Sequence, residues 1–372
     1  MAETLLRTAF APRNLPAGAE CIDVYGYAAP LAVVDPVADY RAVRERVGIL
    51  DFSMLLKVDV RGAGAVEAVN GGVVRDLSGV APGRIAYGPV VNDAGGMLDD
   101  STCFVYGPDH VRVIGGPGMP AAIEAATAGR GLDVEHLRER QCHLTLQGPR
   151  SRDVLERLVD VDVSAEAFPY YTFRDGVTAS GIPALVSRMG FTAELGYEIY
   201  APVERALELW DAVVAAGAAF GIQGVGAAAI MMLRIEAGMV MGEGLEYDES
   251  VTPWECNLGW AVPASKAIPY RGRDAVLAAR ETAPFRTVSI RLSGGDDRAT
   301  GAPLYDGEAV VGHVTMSVPS PHLGFETLGL ARVEKAYAGI GSRLVARLDD
   351  GDVAGEVVAT PVYDPDRHRV RS

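Results

Sequence analysis

"CHLTLQGPRSRDVLERLV", residues 142–159, reads as a strand up to Gly148-Pro149 and as a helix beyond it. The same change of texture recurs on both sides. Upstream, "DPVADYRAVRERVG" (35–48) reads as a helix opened by Asp35-Pro36 and stopped at Gly48, because Pro suits a first turn and Gly a C-terminal cap. "LLKVDVRG" (55–62) follows with strand-like alternation. "STCFVYGPDHVRVIGG" (101–116) reads as a hairpin turning at Gly107-Pro108-Asp109, and "GMPAAIEAATAG" (118–129) as a short helix. Downstream, "VERALELWDAVVAAGAAFG" (203–221) carries Ala206, Leu209, Trp210 and Val213 at helical spacing, an amphipathic helix with a core-facing stripe. Strands and helices in this mixed order predict an α+β fold rather than a regular parallel sheet. From about Arg286 the chain turns to short alternating runs broken by glycine and aspartate: "RTVSIRLSGGD", "EAVVGHVTMSV", "GSRLVARLDDG" and "GEVVATPVY". They predict a small all-β module behind a boundary near residue 280.

Bulk composition narrows the function classes. With 372 residues, 49% hydrophobic and 22% charged, the chain has the balance of a globular protein with two or three domains. Its 49 acidic and 34 basic residues give a net charge of −15, which argues against a nucleic-acid partner, since that affinity rests on neutralised phosphates. The four cysteines are scattered and the six histidines form no HxxxH or CxxH arrangement, so no metal is expected. "MAETLLRTAFAPRNLPAG" lacks the charged-then-apolar order of a signal peptide, and no apolar run approaches the ~18 residues of a membrane span. The expectation is a soluble cytoplasmic protein without a membrane partner. "NDAGGMLDD" (92–100) places Asp99 and Asp100 just beyond a glycine pair. On local grounds alone this is a solvated turn.

Several stretches taken together resemble the folate-binding aminomethyltransferase superfamily, which includes the glycine-cleavage T-protein and tetrahydrofolate-dependent demethylases of methyl ethers and sulfonium compounds. "DFSMLLKVDVRG" is similar to its D-x-S-x-x-x-K-x-x-V-x-G stretch, and "YGPVVNDAGGMLDD" to its Tyr-containing strand running into G-G-x-x-D-D. "LTLQGPRSRDVL", "RMGFTAELGYEIYAP", "LRIEAG", "NLGWAV", "YRGRDAVL" and "GHVTMSVPSPHLGFETLGLARV" follow in the family's order. The likeness implies a three-lobed ring around a central folate hole. Residues 1–50 with 140–275 would form the folate-binding lobes, 51–139 a second α+β lobe, and 280–372 a β-barrel or sandwich.

The resemblance also implies roles. Tetrahydrofolate would be the cofactor, with Asp100 the catalytic carboxylate and Asp99 finishing the turn. Glu194 would accept the pterin's amine and ring N–H in one bidentate bond. Tyr87 and Trp260 would flank the ring, with Tyr197 as a further contact. Arg234 would orient the acid or meet a folate carboxylate, or else pair with Glu236 or another acid, and Arg188 stands equally open. Departures from the T-protein pattern bear on the donor. Ile230 and Met231 stand where an Arg and an Asp are usual, Gly115 replaces an Asn, and Met54 replaces a His. A more apolar pocket, with Trp254, Met54 and Tyr247 in its wall, suits a small-molecule methyl donor. Met231, Met232, Met239 and Met241 are read mostly as core. The expectation is therefore a tetrahydrofolate-dependent methyltransferase or demethylase for a small O-, S- or N-methyl donor. The alternative is the aminomethyltransferase of glycine cleavage, with a lipoyl carrier protein as partner. A non-catalytic folate-binding protein is a lesser alternative, because no cysteine stands in "SRMGFTAELGYE".

Overall fold

The structure is a computed structural model and describes residues 5–294 and 297–372. The first four residues, and Gly295-Asp296 at the end of the run expected to open the β-module, lie outside it.

Three large β-assemblies and a two-stranded sheet, Cys21–Val24 with Tyr27–Pro30, surround one cavity among the described residues. A six-stranded sheet takes Phe173–Ala179, Ile182–Ser187, Gly196–Pro202, Gln141–Gln147, Val47–Asp51 and Ile222–Gly224 in that spatial order. A five-stranded antiparallel sheet takes Arg84–Val91, Met97–Gly107, His110–Gly115, Leu56–Arg61 and Asp133–His136. The C-terminal module is a closed barrel of six strands, beginning with Phe285–Leu292 and ending with Gly351–Val358. Closure leaves the barrel no open sheet edge.

The amphipathic helix Ala206–Gly217 buries Ala206, Leu209, Trp210 and Val213 against one face of the six-stranded sheet. The short helix Ser151–Leu155 joins the same core, so the strand-to-helix switch at Gly148-Pro149 places both elements in one packed layer. The helix expected to stop at Gly48 ends earlier, at Pro36–Glu45, and Gly48 lies in the strand Val47–Asp51. There it serves close packing instead of a cap: a Cβ at position 48 would stand 2.6 Å from Val43 and 2.7 Å from Val225. Asp35 opens the helix as expected, its carboxylate accepting from the N–H groups of Val37 and Ala38.

Candidate active site

All three assemblies contribute to a cavity of about 1310 Å³. The paired acids border it from the strand Met97–Gly107, where Asp99 faces Val90 and Asp100 faces Pro89 of the neighbouring strand. The turn reading made on local grounds, which the resemblance kept for Asp99 alone, is thereby corrected. The turn is finished at Gly96, with the Asn92 side chain accepting from the N–H groups of Ala94 and Gly96. Successive strand residues point to opposite sides, so the two carboxylates meet different partners. Asp99 accepts from Gly116 N (3.0 Å) and Met119 N (2.9 Å) at the start of the helix Met119–Thr127, and from Asp100 N (2.8 Å). Burial and the adjacent Asp100 nevertheless push its carboxyl up to about 7. Asp100 accepts at Oδ2 from the Tyr87 hydroxyl (2.7 Å) and at Oδ1 from the Tyr247 hydroxyl. Burial raises the Asp100 carboxyl above its ordinary value, and the hydrogen bonds from Tyr247 and Tyr87 oppose that rise.

Tyr87 stacks on Trp260 with ring centroids 6.0 Å apart and planes at 24°, while Trp260 remains 56% exposed. Met54 and Tyr247 line the cavity, as do Ile230, Met231, Met239 and Met241. The expectation that most of these methionines are core is corrected, since of the four only Met232 packs in a core cluster without bordering the cavity. Alternate faces of the helix Ala227–Glu236 explain the split between Met231 and Met232. Glu194 does not itself border the cavity but is buried next to the cavity residues Ala193 and Tyr363. Its Oε1 accepts from the Tyr363 hydroxyl and lies 3.5 Å from both Arg44 and Arg369, while its Oε2 has no partner among the described residues.

Four candidate residues lie elsewhere. Tyr197 packs in the apolar core beneath the six-stranded sheet, its hydroxyl 3.2 Å from Arg152 Nε. Alternation along Gly196–Pro202 sends Tyr197 to the helix side and Glu198 to the opposite one. Arg234 is fully buried and donates to Glu246 Oε2 at 2.6 Å and to the Met239 carbonyl at 3.2 Å. Its ion-pair partner is therefore Glu246, because Glu236 is taken by Arg44 (2.8 Å), Tyr40 and Ser320. Trp254 donates its indole N–H to the Val276 carbonyl (2.6 Å) and packs behind Tyr87 and Tyr247 instead of forming cavity wall. Arg188 binds the backbone carbonyls of Phe168 and Ser372.

The sequence reading missed the inner face of the six-stranded sheet. Cys142, Leu144 and Leu146 face the helices, and the alternate residues His143, Thr145 and Gln147 are buried on the other side. His143 and Glu198 border the cavity there, with Nε2 and Oε2 3.3 Å apart, and the imidazole stacks on Tyr200 at 4.2 Å. Burial pushes the imidazole below its ordinary value. Burial alone would raise the Glu198 carboxyl, but His143, Tyr200 and Ser187 together hold it below the ordinary range. Arg75, Arg84, Arg286, Arg367 and Arg371 also border the cavity, so an overall acidic chain brings a local set of cations to this opening. The alternation of residues 142–147 was the one available signal for the inner face; the arginines leave no local pattern.

Comparisons with known proteins agree with this architecture. Residues 10–266 match the GCVT N-terminal domain and residues 286–364 the glycine cleavage T-protein C-terminal barrel domain. An aminomethyltransferase of Streptomyces coelicolor is 32% identical over 372 residues, covering 96% of this chain and 98% of its own. A trimethylamine-oxide aldolase of Ruegeria pomeroyi is 32% identical over 354 residues, covering 92% of this chain, which spans only 45% of that longer protein. Among solved structures, the glycine cleavage system aminomethyltransferase T of Bartonella henselae superposes with a TM-score of 0.87 over 97% of this chain and 99% of its own, at 23% identity. Among the described residues no helix is long and apolar enough to cross a membrane.

Proposed function

From the premise that the chain belongs to the glycine-cleavage T-protein family of folate-binding aminomethyltransferases, we propose that it transfers a one-carbon unit from a nitrogen-bound donor to tetrahydrofolate, the family's cofactor. The observation that carries this reading is Asp100, a carboxylate held by two phenols on the wall of the cavity that the three β-assemblies share.

The residues present fit a reduced folate. Glu194 Oε2 is a buried carboxylate oxygen without a partner among the described residues, which is costly unless a ligand donor satisfies it. The Tyr87–Trp260 pair offers a flat aromatic surface, and the cavity arginines suit an anionic tail. Bound there, tetrahydrofolate supplies the nucleophilic nitrogen that takes up the carbon. Glu194 would hold the pterin's paired N–H donors. Asp100 would stabilise positive charge beside the reacting nitrogens, and the apolar wall of Met54, Ile230 and Met231 would exclude water from the donor.

The relatives favour a carbon leaving nitrogen, because both the aminomethyltransferases and the trimethylamine-oxide aldolase are named for nitrogen-borne one-carbon groups. An aminomethyl group on a lipoyl carrier protein is the first donor to test, and free N-methyl amines are the second. A small S- or O-methyl donor is a second reading, favoured by the Met54–Ile230–Met231 wall at positions where the T-protein pattern is polar. The product separates the donors: an aminomethyl carbon that leaves both its nitrogen, as ammonia, and the lipoyl sulfur, as the thiol, yields 5,10-methylenetetrahydrofolate, and methyl transfer yields 5-methyltetrahydrofolate.

Anaerobic calorimetry with tetrahydrofolate tests the pocket. Glu194→Gln keeps the shape but loses the charge-assisted pair, and should weaken binding about tenfold to a hundredfold. Tyr197→Phe, far from the cavity wall, should leave it unchanged. Saturable binding that is indifferent to Glu194→Gln would remove Glu194 from the site, and no binding by the wild-type chain would end the folate reading.

A further inference from the structure

Tyr247 lies 147 residues from Asp100 in the chain, yet it supplies one of the two hydroxyls that the carboxylate accepts. Several contacts fix its ring. It is 4% exposed, packed with Val240, Val251, Cys256 and Leu258. Gly242 makes room for it, since a Cβ there would stand 2.8 Å from the ring. The preceding residue is anchored on both sides: Glu246 Oε2 accepts from Arg234 (2.6 Å) and Met241 N (2.8 Å), and Oε1 from the Thr315 hydroxyl (2.8 Å). A buried ion pair between the helix Ala227–Glu236 and the Met239–Val251 loop thus ends, one residue later, in a phenol aimed at Asp100.

We propose that Tyr247 is a positioning residue which, with Tyr87, fixes Asp100 as a hydrogen-bond acceptor toward the cavity, and that this clamp favours donors whose transferring centre is cationic over methyl ethers. Each carboxylate oxygen accepts from a neutral O–H donor, an arrangement that favours the ionised form against burial without fully offsetting it. An ionised acid has no proton for a leaving ether oxygen, whereas it offers a counter-charge to an ammonium, iminium or sulfonium centre. The other titratable groups that face Asp100 are Asp99, Glu246, Tyr25 and Cys256, and both carboxylates disfavour its charge. The two phenols, and after them the backbone at Asp100, are therefore what opposes burial.

The donor part rests on the one-carbon-transfer reading; the clamp does not, and the experiment separates them. The titration of 13C-carboxyl-labelled aspartate is followed by NMR in the full chain, with Asp100→Asn identifying the Asp100 signal. Tyr247→Phe should move its midpoint upward by about one pH unit, with Tyr87→Phe as a second, independent variant. The acidic limb of kcat/KM should move by the same amount, a shift that a merely structural loss would not produce. A titration unmoved in both folded variants overturns the clamp. A shifted titration without transfer from any donor upholds the clamp and removes the donor preference with the reading beneath it. Transfer from a methyl ether as fast as from its sulfonium or ammonium counterpart overturns the donor preference alone.

Discussion

Asp100→Asn should lower the rate of one-carbon transfer by about two to three orders of magnitude and leave the protein folded. The substitution keeps the side chain's shape. Its amide oxygen still accepts from one phenol, and the other hydroxyl rotates to accept from the new NH₂ group. What is lost is one negative charge on the cavity wall. That charge is costly to the native state, since burial raises the Asp100 carboxyl above its ordinary value. The sign follows from linkage. A carboxylate whose folded pKa is raised withdraws stability as pH rises through its unfolded value and on through the folded one. Removing it should leave thermal stability at pH 8 equal to or above wild type, and the gain should shrink toward pH 4. Turnover within threefold of wild type would remove Asp100 from the chemistry. A misfolded variant would instead show that its two hydrogen bonds are structural.

Arg234→Met should have the largest effect on stability, a loss of about 3–5 kcal/mol read from the denaturant midpoint. Arg234 and Glu246 both have side chains with no solvent exposure, and truncating one partner leaves the other charged and buried. A typical native state holds about 5–15 kcal/mol in all, so this loss is a large share. The double variant Arg234→Met, Glu246→Gln should recover part of the loss, because the uncompensated charge is gone while Met241 N and the Thr315 hydroxyl still have partners. The exposed pair Arg13–Asp211 makes a control: Arg13→Met should cost well under about 1 kcal/mol. A loss below about 1 kcal/mol for Arg234→Met would mean that water or another cation reaches Glu246. Because Glu246 precedes Tyr247, the single variant should also loosen the clamp on Asp100 and raise the acidic limb of the pH profile.

The two predictions meet in one loop, and this ties function to stability. Residues 239–251 carry Met239 and Met241 on the cavity wall, Glu246 in the core and Tyr247 against the acid. In the sequence the loop was visible only through Tyr247, expected in the pocket wall, and through Met239 and Met241, read mostly as core. Its purpose is not local. It spans from the helix Ala227–Glu236 to the Asp100 strand, and only their packing shows which of its residues face which way.

Composition and periodicity by themselves determined the α+β order, an amphipathic helix within 203–221, the hairpin turning at 107–109 and the all-β module behind a boundary near 280. These follow from spacings of 2.0 and 3.6 residues, which a single segment carries within itself. The likeness of motifs pointed to Asp100, Glu194 and Tyr87 as a set. Tertiary structure alone decided the rest. Alternation in "QCHLTLQ" fixes that Cys142 and His143 point opposite ways, but a polar face is normally turned to water, and whether a lobe covers it depends on chain that is distant in sequence. The same holds for Asp99 and Asp100, whose opposite directions follow from strand geometry, while the helix N-terminus that holds one and the Tyr247 hydroxyl that holds the other arrive from elsewhere. Tyr197 went astray, and the choice among Arg234's possible partners stayed open until the fold gave it Glu246, for the same reason: side-chain chemistry names possible partners, and packing selects among them.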